Sequence, residues 1–85
     1  MGRVIKVLGK SHTVDLLKLL KANKDGVQFN QMKNALSIDA KTVTRRLREL
    51  QDIGLVEGRR GNSSSVYWIT SSGIRVLELL LKIEK

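Results

Sequence analysis

The sequence predicts an α+β fold that is mostly α-helical, and three observations carry that expectation. Four segments repeat apolar residues at helical spacing. One pair of short stretches rich in β-branched and aromatic residues flanks a Gly/Ser loop. The links between segments are short and are cut by Gly9, Gly26, Gly54, Gly58, Gly61 and Gly73.

Before the first helical stripe, Arg3 to Leu8 places Val4, Ile5, Val7 and Leu8 around the charged Arg3 and Lys6. It is short enough to be helix or strand, and helix is preferred. From about Ser11 to Asn23, Thr13, Leu16, Leu17 and Leu20 fall on one helical face, with Asp15, Lys18 and Lys21 outside it. Ser11 is the expected N-cap, and Asp25-Gly26 makes the following turn. From about Gln28 to Leu36, Phe29, Met32 and Leu36 recur at helical spacing among polar residues and read as core.

The fourth segment, about 40–53, buries Ala40, Val43, Leu47 and Leu50, starts after Asp39 as N-cap and stops at Gly54. Only Ser37-Ile38-Asp39 separates it from the preceding helix, the spacing of a helix-turn-helix. Leu55 to Arg59 and Val66 to Thr70 then read as a β-hairpin spanning about 55–70, its loop running from Arg60 to Ser65. Thr70 caps a last helix, about 72–84. The order is a three-helix core, a two-stranded hairpin wing and a C-terminal helix: a winged helix-turn-helix, in one domain over residues 1–85.

Eighty-five residues leave no room for a second domain. Aliphatic runs such as Leu79 to Leu81, and the four apolar residues Val66 to Ile69, are too short for a membrane span, and Met1 to Leu8 has no secretion-signal pattern. With no cysteine there is no disulfide scaffold and no thiolate metal site. His12, the only histidine, cannot build a metal site alone. No nucleophile–base pair, carboxylate cluster or phosphate loop points to an enzyme. No cofactor, metal or membrane partner is expected, and the expected location is the cytoplasm, on the nucleoid.

Charge is more informative. Sixteen Lys and Arg against eight Asp and Glu give a net charge of +8, the balance of a polyanion binder. Five of the seven arginines lie between Arg45 and Arg60. On the wheel of the fourth segment, Lys41, Arg45 and Arg48 lie opposite the buried stripe, with Thr42 beside them and Thr44 and Arg46 on the flanks. Residues 40–48 contain no acid. A helix entering the major groove uses its N-terminal half for bases, where Lys and Arg read guanine and Thr meets the thymine methyl. Arg59, Arg60 and Asn62 at the hairpin tip suit phosphates or a minor groove. Gln28, Asn30, Gln31 and Lys33 can donate to phosphates from the preceding helix. The bland alternatives are a solvated charged face and an ordinary loop.

The stretch Val43-Thr44-Arg45-Arg46-Leu47-Arg48-Glu49-Leu50-Gln51-Asp52-Ile53-Gly54-Leu55-Val56 resembles the recognition helix and first wing strand of winged-helix transcription regulators. Tyr67-Trp68-Ile69-Thr70-Ser71-Ser72-Gly73 resembles their second wing strand and the Thr-x-x-Gly lead into the last helix. Leu8-Gly9-Lys10 and the position of Phe29 narrow the resemblance to the HxlR family among MarR and ArsR relatives. Such small proteins are common in archaea and their viruses. The family's N-terminal cysteine is absent, as is the tryptophan after Gly-Lys, here Ser11 and His12, so no thiol-based sensing carries over. The resemblance implies that Tyr67 and Ile69 face inward and Trp68 outward, onto a neighbouring helix or a DNA sugar. It also implies a dimer.

The last helix supports the same expectation. Ile74, Val76, Leu77, Leu79, Leu80, Leu81 and Ile83 span an apolar arc of about 220°, where about 100° covers a helix's own core. A two-fold homodimer through Val4, Ile5, Leu8, Val76, Leu79, Leu80 and Ile83 would use the surplus and set two recognition helices about one DNA turn apart. The expected function is a regulator that binds double-stranded DNA. Its alternatives are a non-specific architectural nucleoid protein and a protein-interaction module.

Overall fold

The computed structural model describes residues 2–61 and 65–83. It contains five helices: α1 (Gly2–Leu8), α2 (Thr13–Ala22), α3 (Phe29–Leu36), α4 (Ala40–Asp52) and α5 (Ser71–Ile83). Three strands, β1 (Val27–Gln28), β2 (Val56–Arg60) and β3 (Ser65–Ile69), form an antiparallel sheet in the order β1-β3-β2. Asn62, expected at the hairpin tip, lies outside the described residues, as does the side chain of Val4.

The expected helical stripes form the core except at Ala40, which the first turn of α4 leaves exposed. Leu16, Leu17 and Leu20 of α2, Met32 of α3, and Val43, Leu47 and Leu50 of α4 are buried together with Leu55, Val56, Ile69 and Leu77. Val14 and Leu19, off the α2 stripe, still pack on this core half-buried.

The wing departs from expectation in one respect. It is not a bare two-stranded hairpin, because Val27 and Gln28 pair with Tyr67 and Val66. Two residues cannot display a period of two, so no sequence pattern marks this strand. It exists because β3 offers an open edge beside the Asp25-Gly26 turn.

The helix termini repeat the pattern of correct elements with altered details. Ser11 is not the N-cap of α2. His12 holds that position with a left-handed backbone (φ 67°), and the Ser11 carbonyl is used elsewhere. At α3, the Gln28 backbone N–H donates to Gln31 Oε1 at 2.9 Å, half of a capping box. Asp39 caps α4 in extended conformation, as expected, but its carboxylate accepts from the Thr42 hydroxyl at 2.6 Å.

Gly54 ends α4 with φ 77°, and the next amide, that of Leu55, donates to the Leu50 carbonyl at 3.0 Å. That is the long hydrogen bond of a glycine-terminated helix. Thr70 both accepts from the Gly73 N–H at 3.1 Å and donates to the Gly54 carbonyl at 2.7 Å. One hydroxyl therefore starts α5 and fastens it to the end of α4.

Tyr67 packs on the core and Ile69 is buried within it, whereas Trp68 takes the outer face. Its indole N–H donates to Glu57, its cross-strand partner, at 3.2 Å.

Candidate nucleic-acid interface

Because α4 buries Val43, Leu47 and Leu50, helical geometry turns its remaining side chains outward. Lys41, Thr44, Arg45 and Arg48 are exposed, and with Ala40, Glu49 and Asp52 they line one open, shallow face. Among the described residues, none of Lys41, Arg45, Arg48, Arg59 or Arg60 is held in an ion pair. Their positive charge is left to solvent, at the N-terminal end of α4 and along β2.

The other candidates separate by environment. Thr42 is half-buried, and its hydroxyl is committed to Asp39. That hydrogen bond holds the Asp39 carboxyl below the usual carboxylate range. Gln28 is exposed at the α3 N-cap, and Lys33 is half-buried on α3. Gln31 accepts a hydrogen bond at that helix start and is part of its cap. Arg59 and Arg60 are exposed at the end of β2, opposite Val66 and Ser65.

Arg46 is the clear correction among these residues. A wheel puts it on the flank of α4, open to DNA, but its side chain is only 12% exposed. Its Nε donates to the Ser11 carbonyl at 3.0 Å, and one of its terminal nitrogens donates to Glu49 Oε1 at 2.9 Å. The second Glu49 oxygen, Oε2, accepts from Lys10. The Lys10 ammonium, and then Arg46, hold the Glu49 carboxyl below its ordinary range against the opposing effect of burial. Lys10 and Ser11 lie more than thirty residues from their partners. No local periodicity marks such a contact.

The dimer candidates divide similarly. Leu8 and Val76 pack half-buried against the chain's own core. Ile5, Leu79 and Ile83 remain 68%, 55% and 79% exposed, and Leu80 is half-buried. Among the described residues, no helix is long and apolar enough to cross a membrane.

No protein-family model matches the chain. Its sequence is similar to that of an uncharacterized helix-turn-helix-type transcriptional regulator of Methanocaldococcus jannaschii. The two are 37% identical over 86 residues, covering 95% of this chain and 78% of the relative. Among solved structures, a possible HxlR-family transcriptional factor from Thermoplasma volcanium superposes with a TM-score of 0.83 at 30% identity, covering 94% of this chain and 73% of the other. A homodimeric winged helix-turn-helix DNA-binding domain of a possible ArsR-family regulator from Mycobacterium bovis gives a TM-score of 0.84 at 25% identity, covering 98% and 76%.

Proposed function

The chain belongs to the helix-turn-helix-type transcriptional regulators, and from that premise we propose that it binds duplex DNA as a homodimer with α4 in the major groove. One observation carries the proposal: Lys41, Thr44, Arg45 and Arg48 share the open face of α4, with no acid among its first nine residues and no ion pair neutralising the three cations. Arg45 and Arg48 are the base readers, since arginine meets both acceptors of guanine in the major groove. Lys33 and Gln28, on α3 and at its start, serve the phosphates and set the register.

The wing contributes unequally. Residues directly opposite in an antiparallel pair share a face. Val56 and Gly58 lie across from the inward-facing Ile69 and Tyr67, so by alternation Arg60 shares their face, the one that meets α4. Arg59 shares the opposite face with Glu57 and Trp68. That alternation supports Arg60 as the wing residue that meets DNA beside the helix, with Arg59 reaching only the flanking backbone.

The exposed Ile5, Leu79 and Ile83 support a two-fold pair through α1 and α5. The similar Mycobacterium bovis domain is homodimeric, which supports a dimer. This role needs no catalytic group, and the chain performs it on the nucleoid.

The test uses duplexes that the protein selects from a random pool. Arg45→Ala costs about 1–3 kcal/mol on a selected duplex and relaxes the preference at particular base pairs. Lys33→Ala weakens selected and scrambled duplexes alike. Equal losses for Arg45→Ala on both duplexes would instead indicate architectural, sequence-independent binding.

A further inference from the structure

Given the DNA-binding role proposed above, we propose that Glu49 is a positioning residue for recognition: it locks the α1–α2 turn onto α4 and withdraws Arg46 from the DNA. Three contacts meet at this point. Glu49 Oε1 accepts from Arg46 at 2.9 Å, Oε2 accepts from Lys10, and Arg46 Nε donates to the Ser11 carbonyl at 3.0 Å. Together they tie residues 10 and 11 to α4 at the edge of the face that carries Arg45 and Arg48.

The arrangement is worth little as a stability device. Lys10 and Glu49 keep 39% and 21% of their side chains in solvent, and ion pairs at such exposure contribute little to folding. Its value lies in geometry. Two of the three contacts cross between elements, Lys10 to Glu49 and Arg46 to the Ser11 carbonyl, while Glu49 braces Arg46 within α4, and the two crossings set the rotation of α4 about its own axis. That rotation decides which base edges Lys41, Thr44, Arg45 and Arg48 meet.

The turn is shaped for the purpose. His12 adopts a left-handed backbone that side chains other than glycine seldom take, just after the residue whose carbonyl faces Arg46. Val7 of α1 is buried on the same side, and Lys6, Val7, Lys10, Glu49 and Asp52 line one hollow between α1 and α4. The clamp also sorts the arginines of α4. Arg45 and Arg48 stay free to read DNA, while Arg46, between them in sequence, is spent on the protein. A third free arginine on the flank would add attraction to any duplex without adding discrimination.

The decisive variant is Glu49→Gln, which keeps the side-chain volume and removes the charge that holds Lys10 and Arg46. Binding of wild type and variant is measured on a duplex selected by the wild type and on a scrambled duplex, each across a salt series. The expected result has two parts. The ratio of selected to scrambled affinity falls roughly three- to tenfold. The slope of log K against log salt becomes steeper by about one unit as Arg46 reaches a phosphate. Lys10→Arg, which preserves the cation, keeps the wild-type ratio.

A purely structural role would lower the melting temperature and reduce both affinities in proportion. An unchanged ratio and slope for Glu49→Gln would overturn the proposal. Absence of DNA binding by the wild type would sink the DNA-binding role itself, and this proposal with it, before any variant is compared.

Discussion

The dimer can be tested by one substitution whose effect follows from where the apolar surplus lies. Leu79→Glu is the perturbation. Leu79 is 55% exposed and is absent from the chain's own core, so the folded protomer tolerates the change. Fully covering one such side chain is worth about 2 kcal/mol. Ile5, Leu79 and Ile83 are 68%, 55% and 79% exposed, so covering all three yields about 4 kcal/mol per protomer and about 8 kcal/mol for a two-fold pair.

Association itself costs at least about 4 kcal/mol, so these three side chains alone hold a pair only near millimolar; a dimer at tens of micromolar buries more of α1 and α5, the half-buried Leu80 included, and one lost anchor matters. Leu79→Glu removes about 2 kcal/mol of that burial over the two protomers and leaves two carboxylates to be desolvated. The combined cost is at least about 4 kcal/mol, about a thousandfold in Kd. Sedimentation velocity at tens of micromolar is the assay. The wild type sediments as a dimer and Leu79→Glu as a monomer with an unaltered circular dichroism spectrum. Val76→Glu, by contrast, unfolds the protomer, because Val76 packs on the chain's own core. A wild type that sediments as a monomer at that concentration would refute the reasoning from the exposed face.

Three further outcomes follow from individual atoms. A Cβ at Gly73 would sit 2.3 Å from the Leu55 carbonyl oxygen and 2.6 Å from Ile69 Cγ1. Gly73→Ala therefore costs about 2–3 kcal/mol of overpacking against about 1 kcal/mol of helix propensity gained, and a denaturant midpoint no lower than wild type contradicts this. The Thr13 hydroxyl is fully buried and has no hydrogen-bond partner among the described residues, so Thr13→Val raises stability by about 1 kcal/mol; a fall in the melting temperature would mean that the hydroxyl is satisfied. Arg60→Ala lowers the salt slope of DNA binding by about one unit and leaves the melting temperature in place, which a salt titration beside a melt checks; an unchanged slope takes the wing off the DNA.

What was legible in the sequence was whatever local chemistry decides. The stripe of Val43, Leu47 and Leu50 determines which way α4 faces, since burial of apolar surface outweighs other preferences along a helix. Its outward side, with Lys41, Thr44, Arg45 and Arg48, then follows from the period alone. Gly54 and Thr70 announce a stop and a start because a left-handed backbone and a capping hydroxyl are needed at those positions. Tertiary structure decided whatever depends on residues distant in the chain. Val27 and Gln28 are a strand only because β3 has an edge to offer. Arg46 is spent on contacts within the protein only because folding brings the Ser11 carbonyl and Glu49 within 3.0 Å of its nitrogens. Val76 and Leu79 are both apolar and only three residues apart on α5, yet one packs inward and the other stays exposed. A wheel gives the angle of each side chain, but only the packing of α5 shows how much of that arc the core covers.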